Sequence, residues 1–212
     1  MARSPFNTNR GSVGGVVTQG GRFGPIQRER VTPVNPQTLF QQNQRAILAA
    51  VASEWRGLDP GQRAAWKALA AQMPGNITGF QAYVKINATR VTCGQAKLED
   101  APVIPAFGIM TCSGLTSAGG VVTLNDVADT VAPDKFMIEA TPQSSQGIEN
   151  RNAGFRLITV VAGAAGPADI DISAAYAARF GDLVADEEIA VRISAVKDGF
   201  KGVPLRFSAI NG

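Results

Sequence analysis

The stretch NPQTLFQQNQRAILAAVASEWRGLDPGQRAAWKALAAQMPGNITGFQAYVKINATRV, from Asn35 to Val91, carries three consecutive helical patterns with a tryptophan on each of the first two. Asn35-Pro36 opens the first. Asn is a favoured N-cap, and Pro is tolerated at the first helical position, whose N–H has no intrahelical partner. Phe40, Ile47, Leu48, Val51, Trp55 and Leu58 fall on one stripe, and Gly57 weakens the helix and ends it. Asp59-Pro60-Gly61-Gln62 opens the second with an acid at the N-cap, Pro in the first turn and Gln at N3, the order of a capping box. Trp66, Leu69, Ala70 and Met73 form its predicted buried face, and Pro74-Gly75 stops it. The third starts after Ile77 with Thr78 as cap, and Phe80, Val84, Asn87 and Val91 share a face. The Asn87 amide is placed either to cap a neighbouring helix end or to lie at the rim. Helices this short need packing to persist. Trp55, Trp66, Phe80 and Tyr83 are the expected core anchors, each contributing about 2–3 kcal/mol when fully buried.

Outward from this centre the composition changes. Residues 1–34 hold Arg3, Arg10, Arg22, Arg28 and Arg30 against one acid, Glu29, with Gly14-Gly15 and Gly20-Gly21 among scattered apolar residues. Such a segment buries too little surface to offset its ordering entropy alone. It reads as an extended basic arm that orders on a partner, with Arg22, Phe23, Arg28 and Arg30 as the expected partner contacts. Residues 35–95 then form a three-helix domain. Residues 96–106, with Pro102 and Pro105, read as a linker.

From residue 107 to residue 212 the period becomes that of strands. Ile109–Cys112, Val121–Leu124, Phe136–Ala140, Phe155–Val161, Ile189–Val196 and Leu205–Ile210 are rich in β-branched and aromatic residues and are separated by Gly, Pro, Asn or Asp. In Ile189–Val196, Val191, Ile193 and Ala195 lie on one face and Arg192 and Ser194 on the other. One helix interrupts the strands, with Ser173 as its cap and Gly181 as its stop. The expected class is α+β: an N-terminal extended arm, a three-helix unit and a C-terminal antiparallel β-sandwich. Glu188 to Gly199 followed by Gly202-Val203-Pro204 resembles the late hairpin of immunoglobulin and fibronectin type III (FnIII) modules, which bears on fold alone.

Chemistry is narrowed by what is missing. The chain has no His, which removes the usual general base and the commonest metal ligand. Cys93 and Cys112 are the two cysteines; they allow one disulfide but favour two buried thiols. Asp169 and Asp171 would share a strand face near Asp186, Glu187 and Glu188, but the spacing is not that of an EF-hand, and edge acids also discourage strand pairing. The Gly pairs match neither a P-loop nor GxGxxG, and Thr141–Gly147 has no GxSxG order. No catalytic residue, cofactor or metal is expected. No apolar run is long enough to span a membrane, and the first 30 residues lack a secretory apolar region. Net charge is +3, but residues 1–100 carry +7 and residues 101–212 carry −4. That asymmetry suits an acidic partner for the front half, or head-to-tail contact between copies.

The order VTPVNPQTLFQQNQR, a Trp-containing helix, LDPGQRAAWKALA and TGFQAYVKIN resembles a group of uncharacterised tailed-bacteriophage and prophage proteins. The matching positions are Asn35, Pro36, Thr38, Gln41, Arg45, Trp55, Leu58, Gln62, Arg63, Trp66, Gly79, Phe80, Tyr83, Val84 and Asn87. The resemblance covers residues 31–91 and implies a virion structural protein, made in the host cytoplasm, most narrowly a minor capsid or head-decoration protein. Its partners would be the major capsid protein, other virion proteins and further copies of itself. The helical triplet is also similar in outline to an HMG box but lacks that family's dense Lys face. Two other readings follow from the residues. One is a tail-fibre or adhesin module that binds host glycan through loop aromatics, with Tyr176 and Phe200 as candidates. The other is a nucleic-acid-binding protein that uses the basic front half.

Overall fold

The computed structural model describes residues 11–21, 24–32, 34–35, 37–146, 154–164 and 166–212. The chain divides into two compact units, Met1–Gln42 and Asn43–Gly212.

In the first unit, β1 (Gly11–Val13), β2 (Val16–Gly21) and β3 (Gly24–Glu29) form an antiparallel meander. Gly14, at φ 55°, supplies the left-handed residue that the tight β1–β2 turn requires. Val17 lies opposite Arg28, and Thr18 opposite Gln27. The expected single extended arm is corrected here. Paired glycines let the chain reverse, and the β-branched run Val16-Val17-Thr18 supplies a central strand, so backbone groups pair within the segment. None of residues 14–20 or 25–32 is fully buried, and Arg28 and Arg30 are exposed. Arg22 and Phe23, the other expected arm contacts, lie outside the described residues. Helix α1 (Leu39–Glu54) begins after Thr38, not at Asn35-Pro36. Gln37 stands at φ 44°, which breaks helical continuity, and the Thr38 hydroxyl accepts from the Gln41 N–H at 3.4 Å. Pro36 is outside the described residues.

In the second unit, α1 runs into a 3-10 turn (Trp55–Gly57), then α2 (Pro60–Gln72) and α3 (Gly79–Thr92). Both α2 and α3 open with complete capping boxes, Asp59 with Gln62 and Thr78 with Gln81. Trp66, Leu69, Ala70 and Met73 are buried on the α2 side. On α3 the buried residues are Gly79, Ala82, Tyr83, Ile86 and Asn87. This face is rotated from the Phe80, Val84, Asn87 and Val91 face read from the sequence. Gly79 is the reason: a Cβ there would stand 2.9 Å from the Lys67 backbone nitrogen, so its absence lets α2 and α3 approach. Helix α1 places only Val51 among its buried residues. The helical core is thus an α2–α3 pair with the end of α1 against it.

The strands that follow are β4 (Met110–Thr111), β5 (Gly114–Ala118), β6 (Val121–Asp129), β7 (Lys135–Ala140), β8 (Arg156–Ala162) and β9 (Ala168–Asp171). After helix α4 (Ser173–Phe180) come β10 (Glu188–Lys197), β11 (Phe200–Lys201) and β12 (Leu205–Ile210). One sheet has the order β11-β10-β7-β8, with β12 also on β10; the other has the order β4-β6-β5, with β9 on β6. All described pairs are antiparallel. Val122, Leu124 and Val127 from one sheet meet Phe136, Ile138, Val191 and Ile193 from the other in a single core, which makes a two-layer sandwich. The class is α+β. On β10 the expected polar face is also covered: Ser194 is buried, and Met137 and Val196 cluster with Cys93 of the helical region.

Ser173 does not cap its own helix. Its Oγ accepts from the Val122 N–H at 2.8 Å, while Asp171 Oδ1 accepts from the Ser173 N–H at 2.9 Å. The segment read as a linker is strapped to the helices. The buried Asn87 amide donates to the Leu98 carbonyl at 3.0 Å, and its oxygen accepts from the Leu98 N–H at 2.7 Å. Trp66 Nε1 donates to the Glu99 carbonyl at 2.7 Å, and Arg90 Nε to the Ala96 carbonyl at 2.6 Å. A Glu54–Lys97 ion pair ties the same segment to the end of α1.

Candidate interaction surfaces

Trp55, Trp66, Phe80 and Tyr83 form one aromatic ladder, held by the 3-10 turn, α2 and α3. Trp66 stands edge-on to Tyr83 with centroids 5.1 Å apart, and Trp55 lies 5.3 Å from Tyr83 and 5.8 Å from Phe80. Edge and tilted contacts of this kind suit the ring quadrupoles. The ladder is graded. Trp66 and Tyr83 are fully buried, Trp55 is half-buried, and Phe80 is 40% exposed. Leu48 of α1 is 46% exposed. Arg63 places its guanidinium 5.9 Å from the Trp55 ring and donates to the Arg56 carbonyl at 2.8 Å. Apolar surface is thus exposed at Phe80 and at Leu48, and a cation stands beside Trp55. Burial pushes the Tyr83 phenol above its ordinary range, and the nearby Glu54 and Glu99 carboxylates add to the rise. It therefore stays neutral.

A second feature lies where the helices meet the sandwich. The turn at Asp198-Gly199 rests on α3: Gly199 is at φ 82°, and a Cβ there would stand 2.7 Å from the Ile86 side chain. Arg90 pairs with Asp198 at 3.7 Å, and Asp134 Oδ2 accepts from the Asp198 N–H at 2.8 Å. These contacts open a cleft of about 520 Å³ lined by residues including Met73, Lys85, Ile86, Phe107, Phe200 and Lys201.

The acids of the sandwich are engaged locally. Asp169 Oδ1 accepts from the Asp126 N–H at 2.9 Å, at a bulge where Asp126 takes φ 50°. The Ser173 hydroxyl and N–H hold the Asp171 carboxyl below its ordinary range. No metal-ligating group of three or more His, Cys, Asp or Glu occurs among the described residues. Cys93 and Cys112 are both free thiols, and burial raises both above the ordinary thiol range. The two loop aromatics expected for glycan stacking are not presented to solvent. Tyr176 is fully buried and donates its hydroxyl to the Thr141 carbonyl at 2.9 Å, and Phe200 packs partly buried against the helical core. Their apolar rings were needed to close two cores. No described helix is long and apolar enough to cross a membrane.

Sequence reasoning named the four aromatics but not the lysines of the cleft, which lie far apart in the chain. No family model and no curated protein matches this sequence. Among solved structures, the crystal structure of an FN3 domain of human collagen XX is similar at 21% identity and a TM-score of 0.31, across 52% of this chain and 97% of that one.

Proposed function

We propose that the protein is a non-enzymatic structural component of a tailed-phage particle, a minor capsid or head-decoration protein whose place is the virion. The observation that carries this reading is the aromatic ladder that reaches the surface at Phe80, together with the exposed Leu48 of α1. On the α1 stripe Val51 is buried while Leu48 stays exposed, and exposed apolar surface marks interaction sites. The Arg63 cation beside Trp55 favours an acidic rim on the neighbouring virion subunit. The resemblance over residues 31–91 supports the phage setting. Among the described residues β1 and β3 are the edge strands of the meander, and an edge strand suits strand addition by a neighbour. The sandwich, read as an immunoglobulin or FnIII-like module from its β10–β12 hairpin, is the part left to project. Many copies on one particle let each contact be modest.

The test is limited trypsin digestion, read by mass spectrometry, on the isolated protein and on purified particles. Cleavage after Arg45, Arg56 and Arg63 should be slowed at least several-fold on particles, with sandwich sites unchanged. Absence of the protein from particles, or identical digestion in both states, would sink the reading.

A further inference from the structure

The cleft between α3, the strap and the Gly199 turn takes no part in the docking patch. Its lining is unequal. Met73, Ile86, Ile104, Phe107 and Phe200 supply apolar surface, while Lys85 and Lys201 stand exposed at its edge. No acidic residue lines it. Among the described residues neither lysine has an ion-pair partner, whereas Arg90, Lys97 and Arg192 in the same unit do.

The walls are set by close backbone approaches. A Cβ on Gly199 would run into Ile86, and one on Gly202 would stand 3.0 Å from the Phe107 ring. Phe200 and Lys201 are therefore held beside α3 by contacts that no side chain could replace. A volume of about 520 Å³ falls within the usual small-molecule range of about 300–1,000 Å³. Two unpaired ammonium groups beside low-dielectric walls concentrate positive potential at the mouth. Apolar lining with a cationic rim fits a ligand of the opposite pattern.

We infer that this cleft binds a small aliphatic carboxylate, its chain against Met73, Ile86, Phe107 and Phe200 and its carboxylate held by Lys85 and Lys201. The inference is independent of the assembly reading, since neither lysine belongs to the aromatic patch.

The experiment is isothermal titration of decanoate, below its aggregation range, into the full chain at low salt. Saturable binding at one site per chain is expected. The double variant Lys85→Met, Lys201→Met should weaken it about tenfold or more, because charge-assisted hydrogen bonds are lost. Decanol, with the same chain and no charge, should bind about tenfold more weakly than decanoate, for the same reason. Both lysines are exposed, so the variant should melt like the parent by circular dichroism. Ile104→Glu, a partly exposed wall position, should abolish binding by placing a like charge in the cleft. Absent or multi-site non-saturating heats, equal affinity for decanol, or unchanged affinity in the lysine variant would each overturn the proposal.

Discussion

Helices α1 and α3 carry comparable apolar stripes, yet α3 buries five residues and α1 buries one, Val51. The difference lies in what lets a neighbour approach. Helix α3 has Gly79 and Ala82 on its inner face, where α2 can close in, and Asn87, which grips the chain at Leu98. Helix α1 offers larger apolar side chains, and the one it buries fully, Val51, lies near its end. An apolar stripe therefore says that a helix has a face, not that the same chain covers it. Covered faces carry stability, and uncovered ones are available for assembly.

The strongest way to break this contrast is at Trp66. Trp66→Ala should lower unfolding free energy by about 3–5 kcal/mol, read from urea midpoints. It removes a fully buried side chain, its edge contact with Tyr83 and the donor that satisfies the Glu99 carbonyl. A loss under about 1 kcal/mol, the range of exposed positions, would mean that α2–α3 is no more a core than α1 is. Asn87→Ala comes next, at about 1–3 kcal/mol, because both Leu98 backbone groups lose their partner. Hydrogen exchange at the Leu98 amide should quicken in that variant. Unchanged protection there would remove the strap from the account of why α3 is held.

Parts of this contrast are legible in the sequence, for local reasons. Asp59 with Gln62, and Thr78 with Gln81, declare helix starts because their hydrogen bonds run within one turn. The strands Phe136–Ala140 and Leu205–Ile210 declare themselves by composition and by the breakers around them. The α3 face is not legible by apolar count. Phe80 outweighs Gly79 on any hydropathy scale, yet Gly79 is inside because a missing Cβ admits the Lys67 backbone. The meander at residues 11–29 is also hidden, since it alternates no apolar face and rests on turns that glycine permits. Tyr176 is legible as a helical residue, but not that its ring is fully buried and its hydroxyl bound to Thr141. The cleft draws Lys85 from α3 and Lys201 from β11 into one lining, and no spacing in the chain announces that.

The smallest expected effect sharpens the contrast most. Leu48→Ser should change the stability of the isolated chain by no more than about 0.5 kcal/mol, since its side chain stands half in solvent and no described core depends on it. Three residues on, Val51 is fully buried, so Val51→Ser should be clearly destabilising on the same helix. The pair compares one helix turn with its own neighbour under identical capping. If Leu48→Ser melts the chain as Val51→Ser does, α1 is covered within the chain and offers no face. If it leaves the melt alone but lowers incorporation into particles, measured by quantitative mass spectrometry of purified virions, the stripe is covered only there. A solvent-exposed Leu with no partner anywhere would move neither readout, and the assembly role of α1 would then pass to the strand edges of the N-terminal meander.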